Sequence, residues 1–158
     1  MEEQYRMYLA YLEDLRKQLE SLTALAKEKP PAVAADDLAA LNDIMKREQV
    51  LSLSFRGLEQ TRARLQKELG LEKARLSQLP QYVPESMREQ ARQIAVSLKV
   101  QYMEYQKAST AAREVLEKGI QEVESTVRAM GGTFELDGAG YDESGPQTPQ
   151  SMRTDFRA

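Results

Sequence analysis

Apolar residues recur at alternating intervals of three and four along most of the chain. In the first stretch the stripe is Tyr5, Tyr8, Leu12, Leu15, Leu19, Leu22 and Ala26, widened by Leu9 and Leu25. This spacing keeps one face of an α-helix apolar, and it predicts a helix over about 2–29, roughly 40 Å long at 1.5 Å per residue. Lys27 and Lys29 suit its C-terminal dipole, and Pro30-Pro31 is expected to stop it. A second stripe follows: Leu41, Ile44, Glu48, Leu51, Phe55, Leu58, Arg62, Leu65 and Leu69. Asp36 or Asp37 can cap its start. Gly70 can close it as a left-handed cap with Leu71 as the apolar contact, or the helix can continue to Leu79, giving outer bounds of 36–79. The third stripe is Met87, Ala91, Ile94, Leu98, Tyr102, Tyr105, Ser109, Ala112, Leu116, Ile120, Val123, Val127 and Met130. Ser86-Met-Arg-Glu89 reads as a capping box at its start, and Gly131-Gly132 ends it. A helix over 85–130 would be nearly 70 Å long and would outreach the other two.

The punctuation agrees. The six prolines fall at 30, 31, 80, 84, 146 and 149, and the glycines crowd at and after Gly131. The expected fold is all-α: an antiparallel three-helix bundle or coiled coil over 1–130, with a long third helix and a flexible polar tail over 131–158. The tail has few apolar anchors (Phe134, Leu136, Tyr141, Met152 and Phe156), too few to offset its ordering entropy alone.

Charge and composition narrow the function. The chain of 158 residues has 22 Lys plus Arg against 25 Asp plus Glu, a net charge of −3. Residues 1–130 balance, so the excess lies in the tail, which has two basic and five acidic residues. No basic stripe points to nucleic acid. The chain lacks Cys and His, which removes disulfides, thiolate chemistry and every His-based triad or metal cluster. Apolar runs reach only four residues, as at Ala32–Ala35, against roughly 20 for a membrane span. The start, Met1-Glu-Glu-Gln4, has no signal-peptide character. These features predict a soluble cytoplasmic protein without membrane insertion and without a cofactor.

Enzymatic chemistry finds little support. Asp36-Asp37 and Asp142-Glu143 are adjacent acids, which do not share a helix face and sit in no apolar stretch that would raise a pKa. The segment from Asp137 places Ala139, Tyr141 and Thr148 where a calcium loop needs oxygen ligands. Gly138-Ala-Gly140 has no following Gly-Lys-Ser or Gly-Lys-Thr.

The stripes themselves hold the candidates. Glu48 and Arg62 occupy seam positions, either to fix helix register or to face a partner. Tyr5, Tyr8 and Tyr11, and Tyr102 and Tyr105, suit either core packing or docking. If the third helix overhangs, Ala112, Leu116, Ile120, Val123 and Val127 form an uncovered apolar stripe. It would be a helix-docking groove or a face covered by an oligomer partner, so a homodimer stays open.

The order of parts resembles a known family. A leucine-rich first helix is followed by Asp37-Leu-Ala-Ala-Leu-Asn-Asp-Ile-Met-Lys-Arg-Glu-Gln49, then Leu58-Glu-Gln-Thr-Arg62, Leu69-Gly-Leu71, a long third helix and Gly140-Tyr-Asp-Glu-Ser-Gly145. This is similar to the FlgN-like family of flagellar export chaperones over about residues 5–145. Where members often space Asn along the middle of the third helix, this chain has Ala108, Ala111 and Ala112. The resemblance implies a non-enzymatic role in the cytoplasm. Such a protein binds the C-terminal helical segments of hook-associated proteins, keeps them from assembling early and delivers them to the export gate. It implies that the late third helix and the tail hold the client, and the seam positions Tyr102, Tyr105, Ala112, Leu116, Ile120, Val123 and Val127 are the candidate contacts that the helical spacing offers there. Tyr141 is an anchor for client or gate. The competing expectation is a structural coiled coil or secretion adaptor that self-associates through the stripe.

Overall fold

The structure is a computed structural model and describes residues 1–131. The expected tail, with Tyr141, lies outside the described residues from 132 onward. Four helices follow in order: α1 (Glu2–Ala34), α2 (Leu38–Glu68), a single turn α3 (Leu79–Tyr82) and α4 (Arg88–Ala129). Short 3-10 turns at Leu76–Gln78 and Glu85–Met87 flank α3. No strand occurs among the described residues, and none of their helices is long and apolar enough to cross a membrane.

The chain runs up, down and up. Arg47 of α2 meets Glu28 of α1 at 3.0 Å, and Gln18 Nε2 donates to Ser54 Oγ at 2.8 Å, so α1 and α2 are antiparallel. Gln101 Nε2 of α4 donates to Thr23 Oγ1 at 3.1 Å, and Lys27 lies 3.9 Å from Glu104, so α4 runs parallel to α1. The close backbone approaches join α1 to α2 and α1 to α4. α1 is therefore the shared spine. Its Leu9, Leu12, Leu15, Leu19 and Leu22 are all at most 1% exposed, and Phe55 of α2 and Leu98 of α4 close over the same core.

The first helix does not stop at Pro30-Pro31. It continues through Ala34. A proline lacks its own N–H and crowds the carbonyl four residues before it, so the cost of the pair falls on the preceding turn and leaves the next free to form. That turn is held by Ala32, which is buried with Leu25 and Ile44. It ends in a two-bond cap: Asp37 N donates to Ala32 O at 3.0 Å and Asp36 N to Val33 O at 3.1 Å, with Asp36 at φ +52. Asp37 then caps α2, its Oδ1 accepting from Ala40 N at 3.0 Å.

The same device ends α2. Leu71 N donates to Gln66 O at 2.8 Å and Gly70 N to Lys67 O at 3.0 Å, with Gly70 at φ +70. The helix therefore stops at Glu68, well short of the outer bound at Leu79. Buried Leu71, Leu79, Val83 and Met87 pin the connection against the core. The capping box expected at Ser86 and Glu89 does not form. Ser86 lies inside a 3-10 turn, Met87 stands at the N-cap without a side-chain bond, and Glu89 bonds Arg92 instead.

One acid on α1 makes stability pH-dependent. The hydrogen bond from Arg16 holds the Glu13 carboxyl below its ordinary value, with burial opposing and the charges of Arg16 and Lys17 adding to the shift. A carboxyl depressed in the folded state stabilises above its unfolded pKa, and the gain is lost as pH falls through the folded value. Glu13→Gln is expected to lower stability by about 0.3–0.5 kcal/mol at neutral pH. The difference should vanish in acid, as read by urea titrations at several pH values. A second pair of variants tests the cap. Gly70→Ala forces a Cβ into the left-handed region and should destabilise by about 1 kcal/mol or more. Gly57→Ala, within α2 where a Cβ meets no atom within 4 Å, should stabilise by up to about 1 kcal/mol.

Candidate binding surface

The two seam charges of α2 face inward. Lys29 Nζ of α1 reaches Glu48 Oε2 at 2.5 Å, with both side chains largely shielded. Arg62 is 3% exposed. Its Nε donates to Glu59 Oε2 at 3.0 Å and its Nη1 to Gln66 Oε1 at 2.7 Å. Gln66 Nε2 in turn donates to Leu71 O at 2.8 Å, tying the buried guanidinium to the turn at Gly70. Both charges therefore set register and neither supplies a docking face. Tyr8 is buried and Tyr5 and Tyr11 pack partly on the core, so the α1 tyrosines are also structural.

Along α4 burial fades with distance. Ala91, Ile94, Ala95, Leu98, Tyr102, Tyr105, Ala108 and Ala112 are buried. No described residue of α4 beyond Ala112 is. Leu116, Ile120 and Val127 are partly buried and Val123 is 50% exposed. The reason is the length of α1. A Cβ at Gly119 would stand 3.7 Å from Val33 Cγ1, next to the last residue of α1. From there to Ala129, α4 runs on for about 15 Å without α1 beside it.

The structure thus divides the expected site residues. It brings Tyr102, Tyr105 and Ala112 together inside the α1–α4 interface. It places Leu116 beside the last turn of α1, and Ile120, Val123 and Val127 on the continuation of the same seam past Gly119. Tyr141 is outside the described residues. The overhang carries Glu122 and Glu124 against Arg128, with Arg128 Nη2 donating to Glu124 at 2.9 Å, and Glu114 and Glu117 precede it. No group of three or more metal-ligating side chains exists among the described residues.

The apolar seam of α4 thus runs on past the end of α1, while Glu48 and Arg62 are held inside the bundle. The family model described as FlgN protein matches residues 3–149. The chain belongs to the FlgN family. No curated protein and no solved structure matches it. FlgN proteins are flagellar export chaperones, not enzymes, and bind flagellar substrate proteins. In this FlgN chain the match extends past the described bundle and takes in the overhanging seam and Tyr141.

Reading the main seam alone misses a second exposed stripe of this FlgN protein, Val96, Val100 and Met103. A count of apolar residues on every face of α4, rather than the strongest one, finds it. The division of the seam can be measured. Leu98→Ala should cost about 3 kcal/mol of unfolding free energy. Leu116→Ala should cost about 1 kcal/mol or less, in the same denaturant titration.

Proposed function

We propose that this protein is a cytoplasmic chaperone of flagellar type III export that binds the C-terminal helical region of hook-associated proteins. It holds that region apart until export and delivers it to the export gate. The observation that supports this reading is the seam of α4 outrunning α1, which leaves Ile120, Val123 and Val127, with half-buried Leu116 at the edge, as helix-spaced anchors beyond the last turn of α1. A client helix laid along them would extend the core by one more partner, at the place where α1 ends. Tyr102, Tyr105 and Ala112 would serve by packing α4 rigidly against α1, so the stripe is held in one geometry before the client arrives. Tyr141 is the candidate anchor from the C-terminal segment, for client or gate.

The test is binding of a C-terminal helical segment of a hook-associated protein from the same organism, by calorimetry. Leu116→Asp with Ile120→Asp should weaken binding at least about tenfold, which is ~1.4 kcal/mol. Circular dichroism and molar mass should stay unchanged. If the same changes instead dissolve an oligomer, the stripe is a self-association face, and the reading as a structural coiled coil or secretion adaptor replaces this one. Unchanged client binding would remove the stripe as the site.

A further inference from the structure

Val96, Val100 and Met103 are 56%, 54% and 59% exposed. Their spacing of four and three puts them on one face of α4, which lies nearly opposite the client seam at about 100° per residue. At Val96 this face opens into a groove of about 200 Å³ between α4 and the α2–α4 connection, walled by Leu76, Pro80, Ala95 and Lys99. The apolar stripe and the groove form one continuous surface, and nothing in the packing of the bundle requires it to be apolar.

Its electrostatic character is the reverse of the overhang. From Arg88 to Arg113, α4 carries five basic residues and two acidic ones. Both acids face cations of this chain: Glu89 Oε1 accepts from Arg92 Nη2 at 2.5 Å, and Glu104 lies 3.9 Å from Lys27. Lys99 and Lys107 flank the exposed apolar positions.

We propose that this face docks an acidic amphipathic helix of a partner protein, distinct from the client seam. Apolar side chains of the partner would lie on Val96, Val100 and Met103, with one entering the groove beside Leu76 and Pro80. Its Asp or Glu positions would meet Lys99 and Lys107. Two other occupants are the alternatives, the tail of this chain and a second copy. Of the five tail acids, Glu135, Asp137, Asp142 and Glu143 lie within about twelve residues of Gly131, a reach of at most about 40 Å, and Asp155 alone has a longer reach. Val96 is about 52 Å back along the helix from Gly131. A second copy would have to offer Glu114 and Glu117, which lie on this same face of α4 at about 100° per residue, so self-association is the competing outcome that the test must separate.

The probe is a pair of synthetic helical peptides with the same three leucines, flanked by Glu in one and Lys in the other, titrated into the full chain. Methyl NMR of Val96, Val100 and Met103 reports the location. The Glu peptide should shift those methyls and bind at least about tenfold more tightly than the Lys peptide, with a strong salt dependence. Lys99→Glu with Lys107→Glu should reverse the preference without altering the circular dichroism spectrum, since both side chains are exposed. Equal binding of the two peptides would overturn the proposal, as would shifts confined to the methyls of Leu116 and Val127. Concentration-dependent self-association abolished by Val100→Asp would overturn it in favour of a second copy. Client binding at the overhang should be unaffected by Val100→Asp, so the two sites fail or stand separately.

Discussion

Two long helices bury themselves on one leucine stripe, and the rest of the structure depends on that sharing. Leu9, Leu12, Leu15, Leu19 and Leu22 form the centre of the core. α2 closes over one flank of the stripe and α4 over the other. A stripe strict enough for a two-helix seam would serve one partner; the added Leu9 and Leu25 widen it enough for two. The length of α1 then sets how much of α4 can be covered. The exposed seam beyond Gly119 is a direct result of two helices of unequal length sharing one spine.

Keeping the partners in register falls to polar groups placed inside that arrangement. Lys29 and Glu48 lock the closed end of the α1–α2 hairpin. Arg62, through Glu59 and Gln66, locks the other end to the turn after α2. A shielded ion pair adds little net stability against an apolar alternative, but a slipped register would strand both charges, and that penalty selects one alignment. The helix ends cooperate. Asp36, Gly70 and Gly131 each take a left-handed conformation just past a helix, so α1, α2 and α4 end at defined residues.

The long elements were legible because a 3-4 period of apolar residues is a direct projection of helix packing. All three seams were visible, and so was the greater length of the third helix; Gly70 left a cap and a continuing helix equally open, because the burial of Leu71 that decides between them is tertiary. Local competition was less legible. Pro30-Pro31 read as a stop, because a proline's missing donor is visible in sequence while the burial of Ala32 that holds the following turn is not. Ser86 and Glu89 had the spacing of a capping box, but Arg92 one turn on offered Glu89 a charged partner, which outcompetes a backbone donor. Glu48 and Arg62 could not be placed inward or outward without knowing that Lys29 and Glu59 stood beside them. Tyr102, Tyr105 and Ala112 share their seam with Ile120 and Val127. Only the end of α1, a tertiary fact, separates the packed part from the open part.

The central position of α1 also has a consequence for biosynthesis. The first helix to leave the ribosome is the one that needs both neighbours. α2 can fold onto it as a local hairpin as soon as residue 68 is out. The flank meant for α4 stays exposed to water until the chain has been made past Ala112. At roughly 5–20 residues per second, several seconds pass with a leucine face open. During that interval the nascent chain is itself an unpaired amphipathic surface of the kind that, on the reading above, the finished protein shields in others.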